Sequence, residues 1–165
     1  MGVSKLFNSY EWNLVTNKGK LKGIDIMFDC NIDRNRAFYA CIDIFERYGL
    51  NTEIKDMYAE LSGIPVEIRD MPLHDFKKKY GESPDIDISY LEVWGKKPSL
   101  RAKVLGLLPP YVWLTAGRAS TSLWARDLPI LTNLEILKGL SDELGLGIDI
   151  EKIERDIKDF NELKL

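Results

Sequence analysis

Pro84-Asp85-Ile86-Asp87-Ile88-Ser89-Tyr90-Leu91-Glu92-Val93-Trp94-Gly95-Lys96-Lys97 is the longest strand-like run in the chain, and it packs three carboxylates and two lysines into fourteen residues. It lies midway along a sequence in which strand patterns alternate with helix patterns. That alternation is what decides the fold class: strands interleaved with helices pack as an α/β layered structure.

Upstream, Tyr10 to Val15, the turn residues Asn17-Lys18-Gly19 and the run from Leu21 read as an N-terminal hairpin, with Gly19 free to take positive φ. In Gly23–Cys30, Ile24, Ile26 and Phe28 alternate with Asp25, Met27 and Asp29, the signature of a strand buried on one face. Asp33 is a good N-cap for a helix over Asn35–Tyr48, whose apolar stripe is Phe38, Cys41, Ile42 and Phe45 and whose stop is Gly49. A shorter helix over Glu53–Leu61 follows, then a strand Ile64–Asp70 with Pro65 near its start, which suits an edge. Leu73–Tyr80 reads as a short helix with a basic face.

Downstream of the central run, Pro98 opens a helix over Ser99–Leu107 that Pro109-Pro110 close. Tyr111–Ala116 lacks alternation and belongs near the centre of the sheet, buried on both faces. Gly117–Ser122 reads as a loop, and from Leu123 the chain reads as helical, with helices Leu131–Leu144 and Ile150–Phe160 separated by Gly145-Leu146-Gly147. The expectation is one α/β domain over 1–165. It has a mixed central sheet of about five strands, right-handed crossovers, an N-terminal hairpin and a C-terminal helix pair.

The 165 residues suffice to bury about 70% of the unfolded surface. A 45% hydrophobic and 30% charged composition is globular, and a net charge of −3 from 26 acids and 23 bases does not point to a basic partner surface, although local basic clusters leave nucleic acid as a possible partner. Two cysteines, Cys30 and Cys41, fit reduced thiols in a cytoplasmic protein, with Cys30 reading as a small buried apolar residue. The single histidine, His74, excludes a multi-histidine zinc site. No stretch has the length and apolarity of a membrane span or of a signal-peptide core.

If the strands run parallel, their carboxyl ends form one edge, where sites of open α/β sheets lie. Asp29, Asp70 and Glu92 then converge with Lys96 and Arg118 beside them. Clustered carboxylates repel, and a divalent cation holds them together. Mg²⁺ or Mn²⁺ on Asp29, Asp70 and Glu92, with Lys96 and Arg118 meeting the phosphate, is a toolkit for phosphodiester hydrolysis. The plainer alternative is a set of ordinary polar strand ends beside wet loops.

Pro84-Asp85 followed by Glu92 resembles the PD-(D/E)-x-K nuclease signature, though Trp94 stands where that pattern has lysine and Lys96 comes two residues late. Asp29-Cys30-Asn31 resembles the opening Asp-x-Asn of PIN-domain ribonucleases, a pattern that wants a further acid where this chain has Gly117-Arg118. From Asp127-Leu128-Pro129 to the final helix, the tail is similar to the end of PAC2-like proteasome-assembly chaperones. That likeness implies a non-catalytic assembly role, in which a half-polar sheet face and the helix pair dock a protein partner or form a homodimer. A third reading makes Gly117–Ser122 an anion nest in a phosphate- or nucleotide-binding regulator.

Overall fold

A computed structural model describes residues 10–29, 31–97 and 111–162. Its strands are β1 (Tyr10–Asn17), β2 (Lys20–Phe28), β3 (Asn51–Leu61), β4 (Ile64–Pro72), β5 (Ile86–Lys96), β6 (Tyr111–Ala116) and β7 (Thr121–Arg126). Its described helices are α1 (Arg34–Arg47), α2 (Leu73–Tyr80), α3 (Ile130–Leu144) and α4 (Ile150–Glu162).

The seven strands form one sheet in the order β1-β2-β7-β6-β5-β3-β4, and every pairing is antiparallel. The broad α/β class holds, while the expected mixed sheet of about five strands is corrected on two counts. Glu53–Leu61 is strand rather than helix, and Thr121–Arg126 adds a strand where loop and helix were expected. No neighbouring strands are parallel, but β2 and β3, joined through α1, and β4 and β5, joined through α2, run in the same direction with other strands between them. The hairpin, both boundaries of α2, the span of β6 and the C-terminal helix pair match the expectation. The expected helix over 99–107 and the reading of Cys30 lie outside the described residues.

The core forms on one face. Ile24, Ile26, Phe28, Ile54, Met57, Leu91, Val93, Leu114 and Leu123 point to the same side and meet Phe38, Ile44 and Phe45 of α1 and Leu134, Leu137 and Leu140 of α3. Gly95 leaves room for the Phe45 ring, since an added Cβ would stand 2.9 Å from it. α2 closes the β3–β4 end through Phe76, which meets the Phe38 ring edge-on at 5.5 Å. Asn35 and Arg34 anchor the start of α1. The Asn35 amide donates to Ile86 O at 2.7 Å and accepts from Ile88 N at 3.0 Å, and Arg34 donates to Ile88 O and Gly117 O.

Cys41, on the buried stripe of α1, has no exposed surface, and burial pushes its thiol well above the ordinary cysteine range. The thiol becomes a reporter of opening. Alkylation of Cys41 by iodoacetamide in native buffer is expected to track the global unfolding equilibrium, following the same denaturant dependence. Fast labelling far below the unfolding midpoint, measured on the peptide containing Cys41, would mean that α1 detaches locally.

Candidate sheet-face binding site

The opposite face of the sheet is the notable surface, because no described helix packs on it. Two irregularities shape it. The pairing of β3 with β5 shifts between Ile54 and Asp56 and again between Tyr58 and Ala59, leaving Lys55 and Ser89 without partners in the register. Each extra residue behaves as a β-bulge, turning its neighbours outward. Lys55, Asp56, Tyr58, Tyr90, Glu92 and Trp94 therefore stand on the side away from α1 and α3, while Ile54, Met57, Ile88 and Leu91 stay in the core.

Register lines up the aromatic side chains. Trp94 pairs with Trp113, Trp113 with Trp124, Trp124 with Asp25 and Asp25 with Asn13, so three tryptophans on adjacent strands form one row across the sheet. Their ring centroids are 6.3 and 4.4 Å apart, with tilted and edge-on geometries that suit the ring quadrupoles. Trp113, in the middle, is only 5% exposed, whereas Trp94 and Trp124 are half-buried.

Charges frame the row. Arg126 reaches both Trp113 and Trp124 at 5.6 Å and is held by Asp25 through two bonds of 2.5 and 3.3 Å. Lys55 and Lys96 lie over Trp94 at 4.5 and 5.5 Å. Lys96 pairs with Glu53 at 2.6 Å, and the Trp94 indole donates to Glu92 at 2.6 Å. The Lys96–Glu53 contact is a charge contact rather than an aligned hydrogen bond, because Glu53 Oε2 has no hydrogen-bond partner. Asp56 Oδ1 is buried in the same condition, 3.8 Å from Arg69. Burial raises the Tyr90 hydroxyl above its ordinary pKa, helped by Glu92 and Asp56.

The five residues expected to form a metal site are divided. Asp29 and Arg118 are exposed at the end of the sheet where β2 stops and β6 turns toward β7. Glu92 lies mid-face, while Lys96 and Asp70 lie toward the other end. The antiparallel order is the reason, since the ends of neighbouring strands fall on opposite edges. Asp70 pairs with Lys55, and the Lys55 hydrogen bond, with lesser help from Lys96 and Arg69, holds its carboxyl below the ordinary range. A depressed carboxyl contributes stability above the ordinary aspartate range and loses it as pH falls through the lowered value; full exposure keeps this contribution small. Among the described residues no group of three or more His, Cys, Asp or Glu side chains is arranged to hold a metal ion. No described helix is long and apolar enough to cross a membrane.

The row of Trp94, Trp113 and Trp124 is not legible in the sequence alone, because it exists only once the strands are paired. The nearest signal in the sequence is the repeated pattern of one tryptophan flanked by core residues in β5, β6 and β7. No protein-family model, curated protein or solved structure matches the chain.

Proposed function

We propose that this protein is a non-catalytic docking module that binds a cationic protein segment on the sheet face opposite α1 and α3. The observation that carries the reading is the tryptophan row of β5, β6 and β7 on a face with no described helix over it. Tryptophan is the residue most enriched at binding hot spots, where a rigid ring gives large contact area at little entropic cost. Exposed Met27 and Tyr58 extend the apolar area to either side.

Charge selects the partner. Asp25, Glu53, Asp56, Glu67 and Glu92, with Asp70, outnumber Lys55, Arg69, Lys96 and Arg126 on this face, and the chain carries −3 overall. Such a field steers lysine- and arginine-rich partners toward the row and repels nucleic acid. A metal-dependent nuclease has less support, because the carboxylates here are matched with lysines, arginines and an indole rather than gathered around one point.

The test is a tryptophan-emission titration with an arginine- and lysine-rich dodecapeptide, and with single-stranded RNA of the same length, at physiological salt. The peptide is expected to change the emission. Trp124→Ala is expected to weaken its binding at least about 30-fold, the scale of a hot-spot residue. Preferential binding of the RNA, or peptide binding that Trp124→Ala leaves intact, overturns the proposal. So does a stable dimer in light scattering that Trp124→Ala dissociates, which would make the partner a second copy.

A further inference from the structure

The sheet ends in two edge strands, β1 and β4, and among the described residues no strand lies outside either. An edge presents N–H and C=O groups that can take another strand, unless the sequence interrupts it. β4 is interrupted. Pro65 and Pro72 have no N–H to donate, Asp70 takes a left-handed φ of 51°, and Glu67, Arg69 and Asp70 line it with charge. β1 carries none of these devices. Tyr10–Asn17 contains no proline, no positive φ and one charged side chain, Glu11. The irregularity in its pairing with β2 puts the extra residue, Lys22, on β2. Asp149 N donates to the Tyr10 hydroxyl at 2.9 Å, which ties β1 to the start of α4.

The core also stops short at this edge. Tyr10, Trp12 and Leu14 lie opposite Phe28, Ile26 and Ile24, which are buried. The three continue the apolar layer on the side of α1 and α3 but are themselves only half-buried. A further strand with apolar residues on that side would cover them.

We propose that β1 pairs antiparallel with β1 of a second copy, joining the two sheets across a two-fold axis. Keeping both helix layers on one side requires facing residues to share a face, so the axis runs through a residue rather than between two. An axis through Asn13 pairs all of Tyr10–Thr16. Trp12 then meets Leu14 of the second copy, and Leu14 meets its Trp12, so apolar faces apolar. Glu11 meets Val15, and no like charges oppose one another. Asn13 meets Asn13, each amide offering the other a donor and an acceptor. An axis through Leu14 would instead set Trp12 against Thr16. Asn13 also prolongs the row of Trp94, Trp113, Trp124 and Asp25, so the rows of the two copies fall on one line through the axis. Two docking faces become one bivalent surface, although the pairing does not depend on what that face binds.

Sedimentation velocity of the full chain over a concentration series is expected to show a reversible dimer. Asn13→Lys sets two ammonium groups against each other at the axis, and lysine is the residue that commonly blocks strand edges. Asn13 is exposed and its neighbour on β2 is Asp25, so this variant is expected to melt within about 2 °C of the original. Its dimer dissociation constant is expected to rise at least about tenfold. Asn13→Cys is expected to form a disulfide between the two substituted positions under mild oxidation, located by peptide mapping. Facing residues of an antiparallel pair have Cα atoms about 4.5–5.5 Å apart, inside the disulfide range. Trp124→Ala is expected to leave the dimer intact, which separates this interface from one through the tryptophan face. A monomer at every concentration overturns the proposal and leaves the edge to a strand of another protein. So does a dimer that Asn13→Lys fails to weaken, one that Trp124→Ala dissociates, or one in which Asn13→Cys forms no such disulfide.

Discussion

Replacing Gly23 by alanine is expected to cost at least about 3 kcal/mol, lowering the melting temperature by about 6–12 °C. A Cβ at this position would stand 2.1 Å from the Ala125 carbonyl oxygen and 2.9 Å from the Arg126 Cα. Both neighbours are backbone, so no rotamer change relieves the overlap; the strands must move apart. Gly23 sits opposite Arg126 at one end of the β2–β7 ladder, beside the Asp25–Arg126 ion pair. That ladder is the one seam joining the β1–β2 hairpin to the rest of the sheet. Separation there weakens backbone pairing and unseats the arginine that lies over Trp113 and Trp124. Reversible denaturant unfolding measures the loss. A cost below about 1 kcal/mol would show that the seam yields without strain and that the glycine is dispensable.

Phe45→Ala is expected to cost about 3–5 kcal/mol, the range for removing a fully buried aromatic ring. Phe45 has no exposed surface and lies directly beneath Gly95 on β5. Gly95→Ala alone inserts a methyl 2.9 Å from the ring and 3.0 Å from the Leu50 side chain, an overpacking of about 1–3 kcal/mol. The two substitutions act on the same space from opposite sides. Combined, they are expected to cost less than the sum of the single changes, because the new methyl fills part of the volume the ring vacates. A double-mutant cycle by urea unfolding measures the coupling. Strict additivity would mean that the Gly95→Ala penalty comes from the β5 backbone and not from the Phe45 ring.

Much of the fold was legible in the sequence because local signals agreed with tertiary ones. Asp33 caps α1 as expected, its carboxylate accepting from Arg36 N at 3.2 Å, and Gly49 follows the helix with positive φ. Leu73–Tyr80 is helix between Pro72 and Gly81. β3 was misread for a physical reason. Its bulge at Lys55 spaces the core residues Ile54 and Met57 three apart, and with Leu61 four further on the strand imitates a helical stripe. β7 is only six residues long and its core positions are Thr121, Leu123 and Ala125, too small a signal to separate from the helix that follows. Parallel or antiparallel pairing is not encoded in alternation at all, so the imagined convergence of Asp29, Asp70 and Glu92 rested on a direction the residues do not specify. The tryptophans were visible as residues; their alignment belongs to the register.

The strand order also sets a timetable for making the protein. β1 and β2 leave the ribosome as an adjacent hairpin, yet the partner of β2 is β7, so Gly23 waits for Arg126 and Phe28 for Thr121. At about 5–20 residues per second, some five to twenty seconds of synthesis separate the two sides of that ladder. Over that interval the bonding edge of β2 that β7 will occupy has no native strand to take it. The β3–β4–β5 unit, formed from neighbouring segments, can assemble meanwhile. Closure of the sheet is thereby a late event, and a ribosome stalled before Thr121 leaves a hairpin with an unfilled side, the species a nascent-chain chaperone would meet.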